Sequence, residues 1–357
     1  MEKNVNCIMR MIGEILRQEL YTEAELLQLL LLQQEADQKQ LFASADRLTR
    51  SIFGRGIYLR GIIEISNICR RNCNYCGIRA ANIGLTRYRM QPKEILQSVK
   101  DIRDAGIRTV VLQSGEDPYF TPEMVETLIH DIRSKYRMAI TLSLGEYPFS
   151  VYRRWHAAGA DRYLLKFESS DRDLYKKLHP DCDFDERWRC LRDIRRAGYQ
   201  LGSGFMVGLP GQTPEMLVKD LLALAELEPD MAGIGPFIPH PQTPLNQSSS
   251  GDPLLTLKVL ALARLILKNT HLPTTTALET LEHDSRIRGL QAGANVIMPN
   301  YTPEKYKKFY DIYPNKAGST GSAQSTMQTI RDQVRDAGRF IKKGYGHSLK
   351  ETYRTLK

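Results

Sequence analysis

Between residues 57 and 298 the chain changes eight times from a short strand-like apolar run to a helical run, and this rhythm limits its fold more than any other feature. The first strand is expected over Ile57-Tyr58-Leu59-Arg60-Gly61-Ile62-Ile63-Glu64-Ile65. Others are expected near 108–114, 138–144, 161–167, 200–207, 231–237, 272–278 and 294–298. Helical runs fall between them, near 92–105, 121–136, 148–158, 184–197, 213–227, 253–269 and 281–291, with a last one after Pro303. Pro92 sits near a helix start, and Gly106, Gly159 and Gly198 stand where helices should stop. Strands that return through helices form a parallel sheet, and eight such units predict an α/β fold, a closed (β/α)8 TIM-type barrel. An open doubly wound sheet is the alternative. The barrel is expected over 51–312, behind an N-terminal helical extension (1–50) in which Thr22 can cap a helix, and before a short C-terminal helical extension (313–357).

Composition narrows the function classes. There is no run of 18 apolar residues, so no membrane span is expected. No ordered signal-peptide pattern occurs, and the expected location is cytoplasmic. The net charge of +9 comes from scattered Lys and Arg with only short clusters such as Arg70-Arg71, not from a stripe with aromatic interleaving. It predicts a basic surface, with no nucleic-acid partner.

Three of the six cysteines fall within one short stretch, Cys69-Arg70-Arg71-Asn72-Cys73-Asn74-Tyr75-Cys76. In a chain of this size that grouping favours metal over a disulfide framework. A C-x3-C-x2-C loop can ligate three irons of a cubane and leave the fourth open. Zinc commonly wants four ligands in paired spacings, and no partner pair exists here. Plain core packing is the other alternative, but a loop rich in Arg and Asn makes a poor core. Cys182 and Cys190 read as structural. The loop follows the first strand, which puts it on the C-terminal face of a barrel, where active sites sit. Such a cluster would be oxygen-sensitive, which suggests an anaerobic or reducing setting.

These residues resemble a known family. The cysteine loop is the mark of the radical S-adenosylmethionine superfamily. Longer stretches are similar to the HydE family, the radical enzymes among the FeFe-hydrogenase maturases. They include Leu112-Gln113-Ser114-Gly115-Glu116-Asp117-Pro118-Tyr119, Leu142-Ser143-Leu144-Gly145-Glu146, Met206-Val207-Gly208-Leu209-Pro210-Gly211 and Gly293-Ala294-Asn295-Val296-Ile297-Met298-Pro299-Asn300. The resemblance spans roughly 50–315. It implies one 4Fe–4S cluster on Cys69, Cys73 and Cys76, whose fourth iron is chelated by S-adenosylmethionine. Reductive cleavage would then give a 5′-deoxyadenosyl radical that acts on an organometallic precursor, an iron with cysteine, carbonyl and cyanide ligands. It further implies a one-electron donor such as flavodoxin or ferredoxin, and the other hydrogenase maturases as partners. A small organic substrate, as in methylornithine synthase or biotin synthase, is the alternative.

Expected cofactor contacts are Tyr75, Ser114, Gly115, Glu116, Glu168, Ser169, Arg187, Met206 and Gly235. Arg187 suits bidentate pairing with a methionine carboxylate, and Glu168 suits either the cofactor or a charge network with Arg187. The glycines would let a ligand approach the backbone. Tyr58, Arg60, Gln113, Thr275, Thr276, Tyr301 and Tyr306 are expected at the substrate cavity. Two departures stand out. Ala317 to Met327 contain no cysteine, so a second cluster found in many relatives cannot form there. Phe167 stands where some relatives have His, with a possible change of cavity polarity.

Overall fold

The computed structural model describes residues 12–318 and 323–350. The predicted N-terminal helices at residues 5–11 lie outside these, but Thr22 does cap the helix Glu23–Leu30, accepting from Glu25 N while Glu25 reaches back to Thr22 N. The helix Glu35–Phe53 follows, then β1 (Gly56–Leu59) and β2 (Gly61–Ser66). Next come β3 (Thr109–Ser114), β4 (Ala139–Ser143), β5 (Arg162–Leu164), β6 (Gln200–Ser203) and the short β7 (Met206–Val207), β8 (Met231–Ala232), β9 (Gly235–Pro236) and β10 (Val296–Ile297). A parallel sheet runs in the order β2-β3-β4-β5-β6-β8, and β7 pairs with β9 beyond it. Helices Pro92–Asp104, Phe149–Ala157 and Phe184–Arg196 stop just short of Gly106, Gly159 and Gly198, whose φ angles of 84°, 115° and 101° suit glycine.

The barrel closes through thin contacts. β8 bridges to His271, Pro273 bridges to Val296 in β10, and β10 pairs with β1. The predicted strand 272–278 is therefore corrected to isolated bridges at His271 and Pro273. Pro273 has no N–H to donate, and Thr275 already caps a helix, Thr276–Leu281. The expected strand 200–207 is likewise broken into β6 and β7 at Gly204, whose φ of 147° leaves the strand conformation. Its partner run splits into β8 and β9.

The C-terminal residues hold more than a helix. After the helix Ala323–Asp336, β11 (Phe340–Ile341) pairs in parallel with β1, and the following residues cross the N-terminal ends of the barrel strands. There Tyr345 O accepts from Thr109 Oγ1 (2.8 Å) and Arg162 Nη2 (2.9 Å). Gly346 O accepts from Arg60 Nη2 (3.2 Å), and Ser348 Oγ donates to Asp230 Oδ1 (2.5 Å). His271 Nε2 donates to His347 O (3.1 Å), since a carbonyl can only accept. Burial pushes the His271 pKa far down, so this floor is held by a neutral imidazole. Among the described residues no helix is long and apolar enough to cross a membrane.

Candidate active site at the cysteine loop

The cysteine loop leaves the C-terminal end of β2 and is held from within by Arg87. Its Nη1 donates to Asn67 O (2.6 Å) and Ile78 O (2.8 Å), and its Nη2 to Arg79 O (2.6 Å) and Asn82 O (3.0 Å). Asn67, fully buried, ties the loop base to Tyr88 N, Thr86 O and Phe309 O. Gly115 sits under the loop: a β-carbon there would lie 2.4 Å from Ile68 O and 2.6 Å from Cys69 Cβ. Its lack of a side chain therefore serves the contact of β3 with the loop, and not only the approach of a ligand.

The three thiols are half-buried at this rim. Cys69 Sγ accepts from Arg71 N and Glu116 N, both at 3.4 Å. Burial pushes the Cys69 thiol up and takes Cys76 up to about 12, with Cys69 adding to the latter. Among the described residues no three His, Cys, Asp or Glu groups gather closely enough to hold a single ion. A cubane needs a different arrangement, one thiolate per iron, with backbone N–H groups on sulfur. Three neighbouring thiols on one loop, one of them already accepting two backbone N–H bonds, fit that demand.

A chain of charges joins the loop to the sheet. Glu116 accepts from Arg70 (3.0 Å) and Arg71 (2.7 Å); Arg71 also reaches Glu146 (2.8 Å), and Glu146 accepts from Arg187 Nε (2.6 Å). Arg187 is buried, and its Nη1 donates to Lys166 O (2.5 Å). In the sequence Glu146 stood only as the last residue of the HydE-like stretch Leu142-Ser143-Leu144-Gly145-Glu146, with no role assigned, and it is the partner of Arg187. Glu168, expected as a possible partner, instead meets Lys166 Nζ at 3.0 Å. Its φ of 66° lies in the left-handed region.

Tyr75 is half-buried against His179, with its hydroxyl 3.0 Å from Nε2. His179 Nδ1 donates to Tyr175 O (3.1 Å), so Nε2 accepts from Tyr75. Burial pushes the His179 pKa down to about 3, which keeps this arrangement neutral. Ser169 is fully buried, and its hydroxyl accepts from Asp171 N (3.2 Å). Next to it, Asp220 accepts from Ser170 N (2.5 Å), Ser170 Oγ (2.7 Å) and Gln212 Nε2 (3.1 Å). Ser114 Oγ turns back to Gly115 O (2.6 Å), Met206 packs with Leu174, Leu178, Leu209 and Phe237, and Gly235 lies against Thr275.

Asp220 has a pKa raised to about 6, chiefly by burial. Its folded value lies above the unfolded 3.8, so its stabilising contribution is full below about pH 4 and is lost as pH rises through 6. The whole shift is worth about 3 kcal/mol. Urea unfolding of the wild type and Asp220→Asn at pH 4.5 and 7 should show that the difference between them varies with pH in this direction. A constant difference would refute the assignment.

The substrate-side expectations divide. Thr276 lines a cavity of about 260 Å³ with Glu64, Asn300, Glu279, Arg286 and Lys316. Gln113 donates to Tyr310 Oη (3.1 Å), whose ring Lys316 Nζ faces at 4.9 Å. Lys316 pairs with Glu64 at 2.5 Å. Thr275 is spent as a helix cap. Arg60 is at the barrel floor, near Met231 Sδ (2.7 Å) and Gly346, and Tyr58 packs edge-on against His271 there. Tyr301 lies near Asp101 and Arg331 of the outer helices, and Tyr306 stacks on Tyr88 and donates to Glu94. Of the seven expected residues, Thr276 alone thus lines the cavity. Phe167 is fully buried in a stack with Trp188 and Phe205.

Residues 63–224 match the Radical SAM superfamily model. Over 307 residues the chain is 47 % identical to the [FeFe] hydrogenase maturase subunit HydE of Thermotoga maritima, covering 86 % of this chain and 88 % of that one. The chain belongs to the HydE family of the radical SAM superfamily. It is a radical SAM enzyme. A 3-methylornithine synthase of Methanosarcina acetivorans is 28 % identical over 77 % of this chain and 78 % of its own. The HydE-type barrel is also seen in the fold of methylornithine synthase (PylB), with a TM-score of 0.83 at 24 % identity over 93 % of this chain and 97 % of that one. HydG from Carboxydothermus hydrogenoformans gives 0.80 at 21 % identity, over 99 % and 82 %.

Proposed function

We propose that the chain acts in FeFe-hydrogenase maturation as a HydE-type radical enzyme on an iron precursor carrying cysteine, carbonyl and cyanide ligands. The observation that carries this reading is the 47 % identity with a HydE over most of both chains, against 28 % with a 3-methylornithine synthase. Cys69, Cys73 and Cys76 would hold the cluster, and S-adenosylmethionine would bind beside it at the same rim. When bound, this pair supplies a 5′-deoxyadenosyl radical by one-electron cleavage.

The chain's own groups bind and orient. Arg187 has Nε and Nη1 engaged by Glu146 and Lys166 O, so it offers a carboxylate Nη2 and not a free fork. Tyr75, fixed by His179, gives a rigid aromatic wall beside the third cysteine. Ser114, Gly115 and Glu116 present the end of β3 to the methionine part. Glu168, Ser169, Met206 and Gly235 line the adenosine side. The closed floor keeps water from the interior, as radical chemistry requires. Thr276 and the cavity around Glu64 and Lys316 receive the substrate. A one-electron donor of the flavodoxin or ferredoxin kind and the other maturases complete the system, in a cytoplasmic, anaerobic setting.

A defined maturation mixture tests the reading. Apo-hydrogenase should gain activity when the reconstituted chain is present and stay inactive when it is left out. No gain with an enzyme that still cleaves S-adenosylmethionine would sink the maturase assignment, and turnover of a diamino acid in its place would favour the methylornithine-type alternative.

A further inference from the structure

Cys182 lies outside the three-thiol loop, yet the fold straps its segment to that loop. Asn74 N donates to Leu178 O (2.8 Å) and Asn74 Nδ2 to Lys177 O (2.7 Å). Asn72 N donates to Asp181 Oδ2 (2.9 Å), and Arg71 Nη1 to Asp181 O (3.2 Å). These four bonds hold the Cys182 thiol in side-chain contact with the Cys73 thiol, and both cysteines are half-buried. Cys69 is turned instead to the backbone N–H groups of Arg71 and Glu116. The cluster reading makes no use of Cys182.

We propose that Cys73 and Cys182 form an oxidation pair, which peroxide converts to a disulfide that shelters Cys73 when the cluster is lost. The steps balance. One of the two sulfurs attacks the peroxide O–O bond; an S–O bond forms, the O–O bond breaks, and hydroxide leaves as water with that thiol's proton. The other sulfur then displaces the remaining hydroxyl; the S–S bond forms, the S–O bond breaks, and a second water carries off its proton. Two thiols and one hydrogen peroxide give one disulfide and two waters, with two electrons passing from sulfur to oxygen. Without a neighbouring thiol, the sulfenic acid at Cys73 goes on to sulfinic and sulfonic acids, which simple thiols do not reverse. A disulfide is returned by thiol exchange. The benefit of this pair rests on Cys73 being a cluster ligand, whereas the disulfide itself does not.

The test exposes the full chain, reconstituted anaerobically with iron and sulfide, to hydrogen peroxide and maps its peptides without reduction. The Cys73 and Cys182 peptides should be joined in the wild type, and Cys182→Ser should carry Cys73 as sulfinic or sulfonic acid. After dithiothreitol and a second reconstitution, the wild type should regain about tenfold more iron than Cys182→Ser. A link from Cys73 to Cys69 or Cys76, an unlinked Cys73, or equal recovery in the two proteins overturns the proposal. If Cys182→Ser does not load iron at the outset, the wild-type peptide map alone decides. Failure of the cluster assignment is distinguishable, because it appears as no iron bound before peroxide is added.

Discussion

Serine at position 69, 73 or 76 is expected to leave a folded protein that, reconstituted and reduced without oxygen, releases 5′-deoxyadenosine only at background. The exchange of one sulfur for oxygen barely alters volume, and all three side chains are half-buried in a loop held by other residues. Its effect on stability should therefore stay within about 0.5–1 kcal/mol. The effect on chemistry should be complete, because thiolate is the ligand that iron–sulfur clusters need and a four-iron cubane with one open iron requires three of them. Circular dichroism and a urea midpoint check the first half of this expectation, and chromatography of the quenched reaction checks the second. Sustained cleavage by any of the three variants would overturn the ligand assignment. Cys182→Ser, treated in the same way, should keep its cleavage activity.

The second large effect is expected at Glu146. Its carboxylate receives Arg187 Nε at 2.6 Å and Arg71 Nη2 at 2.8 Å, and both Glu146 and Arg187 are buried. Glu146→Leu strands a buried guanidinium, and breaking a buried pair from one side costs about 3–5 kcal/mol. It also frees Arg71, which ties the cysteine loop to Glu116 and Asp181. Denaturant unfolding should thus show a large loss, and S-adenosylmethionine affinity should fall with it, since Arg187 loses the anchor that aims Nη2. Arg187→Met in the same background should restore part of the stability but none of the affinity. A Glu146→Leu protein as stable as the wild type would show that the charge chain is not holding the loop.

The barrel and its rim were legible where local chemistry decides structure. Pro92, Gly106, Gly159 and Gly198 mark helix ends by their own backbone limits, and the cysteine loop carries its spacing on its face. Height inside the barrel was not legible. Arg60 and Glu64 lie four residues apart, roughly 13 Å along an extended strand, so one meets the floor and the other the cavity. Strand alternation gives direction toward the interior and says nothing of level. Tyr301 and Tyr306 follow a strand, but the turn after it decides which way they face, and here it takes them to the outer helices. Glu64 did leave a signal that went unused, as the charged residue in Ile62-Ile63-Glu64-Ile65. The two-residue β11 and the residues after it leave none, since so short a strand has no period to read.

That C-terminal crossing has a consequence for traffic. With backbone laid over one end, molecules exchange at the opposite opening, beside the cysteine loop. Whatever goes deepest must arrive first and depart last, so the enzyme handles its ligands as a stack and not as a queue. A product seated deeper than the proposed cofactor site would then leave only after methionine and the nucleoside fragment have gone.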